Sequence, residues 1–193
     1  VFATGVVARM GTVTLSSHEI ALQLFLLSSD TIDGIAVAGQ TLTARHLGAR
    51  RADKAYEMGK VLLLCGCIAG LLFGLGYLLW RSSWIALFTN SAEVAEILTP
   101  TIFLLLALFQ PINGVVFASD GFLLGAHDTR YLMWAMSIGA FGIFLSLSWL
   151  SLQWDLGLTG VWIGLSLLMA WRLATNLWRF RSKRWVTTFP GKP

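Results

Sequence analysis

Residues Glu19–Lys54 read EIALQLFLLSSDTIDGIAVAGQTLTARHLGARRADK, and this stretch decides the fold. It opens as an apolar helix, turns polar around Asp30 and Asp33, becomes apolar again from Ile35 to Leu42, and ends in a basic loop. At 100° per residue, Glu19, Gln23, Asp30, Asp33 and Gln40 fall within an arc of about 100°. The polar groups therefore share one side, suited to a protein interior or a water-filled cavity. The Leu, Phe and Ile side is expected to face lipid. A carboxylate at the centre of a bilayer costs about 2.5–3.5 kcal/mol on insertion scales, so two of them point to use.

The composition around this stretch agrees. Of 193 residues, 56% are hydrophobic and 12% charged, with a mean hydropathy of +0.71. Soluble domains carry about 25% charged residues. Half that charge cannot cover a globule, so the chain is an integral membrane protein whose first partner is the lipid bilayer. The long unbroken apolar runs exclude a β-barrel, whose strands alternate over about ten residues. The fold class is all-α: a polytopic transmembrane bundle of five full spans plus part of a sixth. A net charge of +4 would suggest nucleic acid in a soluble protein. Here the basic residues cluster at span ends, so no nucleic-acid partner is expected.

The opening run VFATGVVARM is read as the tail of a span whose beginning is missing, followed by a short turn from Gly11 to Ser17. The first full span is expected at about 18–47, longer than a perpendicular crossing needs. Gly34 and Gly39 within it allow close approach or a bend. The basic loop Gly48–Tyr56 follows. The second span, 58–80, carries a stripe of Gly66, Gly70, Gly74 and Gly76, suited to tight helix contact. Its CxC pair, Cys65 and Cys67, is expected only to pack. A longer loop covers 81–96. The third span, 98–124, holds Pro100, Gln110, Pro111, Asn113 and Asp120, with a kink expected near Phe109 because proline removes a backbone bond. A tight polar loop, GAHDTR, leads to the uncharged fourth span, 131–152. After a turn at 153–156 comes the fifth, 156–178, whose Arg172 is expected to snorkel to the surface.

Positive residues favour the cytoplasmic side. Arg45, Arg50, Arg51 and Lys54 after the first span, and Arg179, Arg181, Lys183 and Arg184 in the tail, are separated by an even number of spans. Charge and parity give one multi-pass topology in the cell (plasma or inner) membrane, with the C-terminus cytoplasmic. Leu47-Gly48-Ala49-Arg50 and Leu124-Gly125-Ala126-His127 echo each other at equivalent helix ends and suggest a duplicated helical unit.

Enzyme constellations are thin. His18, His46 and His127 lack metal-ligand spacing, and no nucleophile elbow, P-loop or dinucleotide fingerprint is present. Neither enzyme activity nor a metal or cofactor is expected. The membrane carboxylates carry the functional reading. Asp33 lies deep in the first span, one turn from Asp30 and two from Gln40. A carboxyl held there can take up and release a proton, as ion-coupled transport requires; alternatively it bonds a neighbouring helix, or Gln40, and holds packing. Asp30 has Ser28 and Ser29 as local partners. Asp120 is either functional or hydrated at the end of its helix. Gln110 and Asn113, beside Pro111, either line a cavity or satisfy a kinked backbone.

Several of these segments resemble a known family. IDGIAVAGQTLTARHLGARRADKA, from Ile32, is similar to the D-G-x-A-x-A-x-Q…L-G-A stretch in the eighth helix of the multidrug and toxin extrusion (MATE) transporters, most like their DinF branch. The preceding LSSHEIALQLFLLSSD resembles the beginning of that helix. QPINGVVFASDGFLLGAHDTRYL, from Gln110, is similar to the tenth helix and its G-A-x-D-T-R loop. GLTGVWIGLSLLMAWRLATNLWR resembles the twelfth. The likeness covers essentially the whole chain. It implies one six-helix lobe, about helices 7–12 with the seventh truncated, of a twelve-helix transporter, with a missing N-terminal lobe as partner. It implies exchange of H+ or Na+ for small, drug-like, often cationic compounds by alternating access, with no cofactor. The family's acidic residue in the tenth helix falls near Asn113, which is neutral here. The proton-coupling residue of the DinF branch lies in the other lobe. Asp33 and Gln40 match the branch pattern.

Two other readings remain open. A lipid or lipid-linked sugar flippase of the same superfamily predicts a more basic cavity than these acidic spans offer. A non-transporting membrane scaffold predicts that neutralising Asp33 and Asp120 leaves transport unaltered.

Overall fold

The computed structural model describes residues 2–154 and 156–189. Val1, in the opening partial span, and Asp155, in the last turn, lie outside the described residues, as does the side chain of Pro100. Every regular element among the described residues is helical. A short α1 (Phe2–Val7) and a 3-10 turn (Ala8–Met10) lead to α2 (Thr12–Gly48) and α3 (Ala52–Leu79). Two short helices follow, α4 (Arg81–Phe88) and α5 (Ala92–Ile97). A π-helical turn (Leu98–Ile102) runs into α6 (Phe103–Gly125). Next come α7 (Thr129–Ser137), a π-helical stretch (Ile138–Leu145) and α8 (Ser146–Gln153). They form one continuous 25-residue helical rod. α9 (Gly157–Arg181) and a 3-10 turn (Arg184–Thr187) close the chain. Five of these rods are long and apolar enough to cross a membrane.

α6 is the centre of the bundle, touching α2, α3 and α9. It is reached through small residues. A Cβ added at Gly70 would stand 2.1 Å from the Gln110 carbonyl oxygen, and one at Gly66 2.3 Å from that of Gly114. On the other flank, Gly121 abuts the Ala36 carbonyl and Gly125 that of Gln40. The residue pairs run oppositely in number along α3 and together along α2, so α6 is antiparallel to the first and parallel to the second. Lipid offers no hydrophobic drive for helices to associate; dispersion and weak Cα–H···O contacts replace it, and both need backbones this close.

Pro111 sits inside α6, and the helical assignment continues through it. Its missing N–H leaves the Ala107 carbonyl, four residues earlier, without its helical donor. Gly74 covers that carbonyl: a Cβ there would lie 2.5 Å from the oxygen. A π-helical turn at Leu98–Ile102 runs directly into the start of α6.

Other expectations are corrected. The turn at 11–17 shrinks to Gly11, whose φ of 116° breaks the chain before α2 starts at Thr12. The basic loop 48–56 is mostly helix, because α3 already begins at Ala52. The loop 81–96 holds α4 and α5, the second capped by Ser91 accepting from the Val94 N–H. Gly34 makes no close approach; a Cβ at Gly76 would meet only the Trp80 ring, at 4.0 Å, and the Gly76 carbonyl accepts from Trp84 Nε1 at 3.3 Å. Gly39 does pack, against Leu62.

The sequence echo is realised in the backbone. α2 and α6 both stop in the same way, with Arg50 (φ 57°) and His127 (φ 58°) in the left-handed region. Arg50 N–H donates to Leu47 O and Arg51 N–H to His46 O; His127 N–H donates to Leu124 O and Asp128 N–H to Leu123 O. This pattern satisfies the last carbonyls of each helix.

Gly70→Ala is expected to destabilise the full-length protein by about 1–3 kcal/mol, the usual range for overpacking, read as a lower melting temperature in detergent. Gly34→Ala, in open space, should leave it unchanged or slightly raised.

Candidate functional site

The two sides of α2 do different work. Ala21, Leu24, Ser28, Ile32, Ala36 and Gly39 are buried, against helices α3 and α6. The apolar side is thus core rather than lipid face, which corrects the sequence expectation. Gln23, Asp30, Asp33 and Gln40 are exposed on the open side. Ser28 and Ser29 do not serve Asp30: both hydroxyls donate to the Phe25 carbonyl, at 2.8 and 2.7 Å. Among the described residues Asp33 has no hydrogen-bond or ion-pair partner, so neither Gln40 nor a neighbouring helix holds it. Gln40 borders α6 through its backbone at Gly125.

Ala36, three residues after Asp33 on α2, packs against Gly121, the residue after Asp120 on α6. Asp120 in turn is ion-paired with the Arg172 guanidinium of α9. Arg172 is buried, at 8% exposed. It does not snorkel: it turns inward, because in a low-dielectric interior a guanidinium is held where a carboxylate neutralises it. Asn176, one turn further on, donates from Nδ2 to Asp120 Oδ1 at 2.8 Å and to Ser119 Oγ at 2.9 Å. The Ser119 hydroxyl itself donates to the Val116 carbonyl. The Arg172 guanidinium also lies 5.7 Å from the Phe117 ring centroid, while its Nε is buried without a partner. Asp120 is therefore the hub of an α6–α9 polar network, not a hydrated helix end.

The remaining candidates separate. Gln110 is fully buried at the α3 contact, and its amide has no partner among the described residues. Asn113, also buried with an unpartnered Oδ1, lines a cavity of about 10 Å³ with Phe25, Trp162, Ser166 and Met169. That is room for about one water. So the α2 segment that carries Asp33 and Gln40 runs beside the α6 segment that carries Asp120, whereas Asn113 and Gln110 are buried further along α6. A further pair, Asp128 with Arg179 (Nη2–Oδ1 3.0 Å), ties the GAHDTR turn to the end of α9. The Arg179 guanidinium covers the Tyr131 ring, 4.8 Å from its centroid.

Arg172, Asn176 and Ser119 were not singled out as site residues from the sequence. One signal was available: opposite charges stand inside two spans of the same direction, a few residues from their basic ends.

Five apolar rods long enough to cross a bilayer, with acidic side chains turned to one exposed face, define the class as a polytopic membrane protein. A MatE family model matches residues 1–150, and the chain belongs to that family of transporters. It is 32% identical to Protein DETOXIFICATION 44, chloroplastic, of Arabidopsis thaliana, over 99% of this chain and 37% of that protein. It is 30% identical to the multidrug resistance protein NorM of Burkholderia vietnamiensis, over 94% of this chain and 40% of that one. The chain thus spans about two-fifths of the length of these curated relatives. No solved structure matches it.

Arg172→Met should strand Asp120 and lower stability by about 3–5 kcal/mol, as when one partner of a buried pair is removed. Adding Asp120→Leu should restore most of it. A double-mutant cycle on detergent melting curves reads the coupling.

Proposed function

We propose that this chain is the C-terminal lobe of a secondary multidrug exporter, which exchanges H+ or Na+ for organic, often cationic compounds. The observation that carries the reading is the contrast between Asp120, ion-paired with Arg172, and Asp33 on α2, exposed and without a hydrogen-bond or ion-pair partner among the described residues. An unpartnered carboxyl on an open face offers one place that a proton, a sodium ion or an organic cation can occupy by turns. Antiport needs such mutual exclusion: the outgoing compound and the incoming ion compete for one site. Asp33, unpaired and on the open side, is the group that meets them. Asp120 is held behind it by Arg172 and Asn176. Gln40 and Asp30 extend the polar face along α2. Asn113 and Gln110, buried away from the face, act on the path only through packing.

The remaining length of such a transporter supplies the opposing lobe, so that α2 and α6 face a central cavity. Alternating access is then a rocking of one lobe against the other, in the plasma or inner membrane, with the basic tail cytoplasmic. The pattern of Asp33 and Gln40 favours the DinF branch, and the names of the NorM relatives support multidrug efflux. The flippase alternative loses ground, because Arg172, the cation buried at this face among the described residues, is already paired.

Full-length protein in proteoliposomes tests the reading. Efflux of a fluorescent organic cation should rise at least tenfold on imposing an inward proton or sodium gradient. Asp33→Asn should abolish that dependence, while Gln23→Ala leaves it intact. Gradient-independent export, or unchanged coupling in Asp33→Asn, rejects the mechanism.

A further inference from the structure

The basic end of the bundle carries an arrangement that transport does not use. Tyr56, in the first turns of α3, has Phe180 of α9 stacked on its ring (centroids 4.8 Å apart, planes at 18°). The same ring draws two ammonium groups. Lys60 Nζ lies 5.4 Å from its centroid and Lys183 Nζ 4.6 Å. The two cations are therefore at most about 10 Å apart, on segments distant in sequence. Lys183 reaches this position because it takes the left-handed conformation (φ 54°) that ends α9. Among the described residues one anion answers them: Glu57, whose Oε2 is 2.6 Å from Lys60 Nζ, with both side chains at least half exposed. Arg184, next in the chain, lies over the exposed Trp178 ring. Converging like charges repel unless an anion joins them.

What lies directly beyond the lysines names the anion. Along the same side of α3, towards the middle of the span, Val61, Leu64, Ile68, Leu71 and Leu75 are all exposed. They make an apolar track about 20 Å long at 1.5 Å per residue. No charge interrupts it between Lys60 and Arg81. A cationic, aromatic-edged notch at the rim, continuous with a bare hydrocarbon track, fits one molecule: a phospholipid.

We propose that Lys60 and Lys183 hold the headgroup phosphate of an anionic phospholipid at the α3–α9 rim, with one acyl chain lying along Leu64, Ile68 and Leu71. The lipid joins the first turns of α3 to the tail after α9. It completes the charge that Glu57 only half supplies. The site is separate from the Asp33 face and stands whatever the transporter carries.

The test uses the detergent-solubilised full-length transporter and native mass spectrometry, titrating phosphatidylglycerol against phosphatidylcholine. Phosphatidylglycerol should be retained and phosphatidylcholine not. Lys60→Gln with Lys183→Gln should weaken retention about 25-fold, near fivefold for each cation at a membrane surface. Arg81→Gln, at the far end of α3, should change nothing. Glu57→Gln, which frees Lys60, should bind phosphatidylglycerol more tightly, and this arm decides the matter if the double variant does not fold. Equal retention of the two lipids, an unaffected double variant, or an unaltered Glu57→Gln overturns the proposal. So does displacement of the lipid by millimolar inorganic phosphate, which would mark a site for a free anion.

Discussion

The bundle depends on backbone-to-backbone contact along α6. Gly66, Gly70 and Gly74 of α3 press on one flank of it, while its own Gly121 and Gly125 press on α2 from the other. In a bilayer the lipid tails are as apolar as leucine, so burying leucine gains little. Close approach is what remains, and it requires residues without side chains. The same contact answers a second requirement. Proline at 111 frees a carbonyl that has no water to turn to, and the glycine at 74 lays its Cα hydrogens over it.

That tight axis sets where polarity is allowed. With α3 on one side of α6 and α2 on the other, the remaining surface of α6 is left for α9, which brings Arg172 and Asn176 to Asp120. The ion pair is the polar counterpart of the glycine contact. It fixes α9 in register against α6. Asp33 receives no such partner, and the difference between the two carboxylates arises from which helix stands opposite each of them. One is held and one is left available, a division of roles that an exchanger can use.

The two basic-end stops show how repetition in sequence becomes repetition in shape. Leu-Gly-Ala at 47–49 and 124–126 ends α2 and α6 with matching hydrogen bonds, and the left-handed residue is arginine in one and histidine in the other. After the first, the chain turns straight into α3; after the second, Asp128 is captured by Arg179. A common stop thus leads to different attachments.

Membrane residence, the all-helical class and the five long apolar rods were legible in the residues, because hydrocarbon length and the need to satisfy every backbone group internally leave few choices. The polar arc of α2 was legible too, since helical periodicity alone puts Asp30, Asp33 and Gln40 on one side. What periodicity could not supply was the identity of the neighbour. It gave the apolar side of α2 to lipid, when α3 and α6 cover it, and it sent Arg172 to the surface, when Asp120 waits for it across the α6–α9 contact. Asn113 and Gln110 share a helix with Asp120 yet face a cavity and α3. A sequence fixes the angle of each side chain about its own helix axis; only packing decides what stands at that angle, because the contact depends on the approach of a second helix that no local pattern encodes.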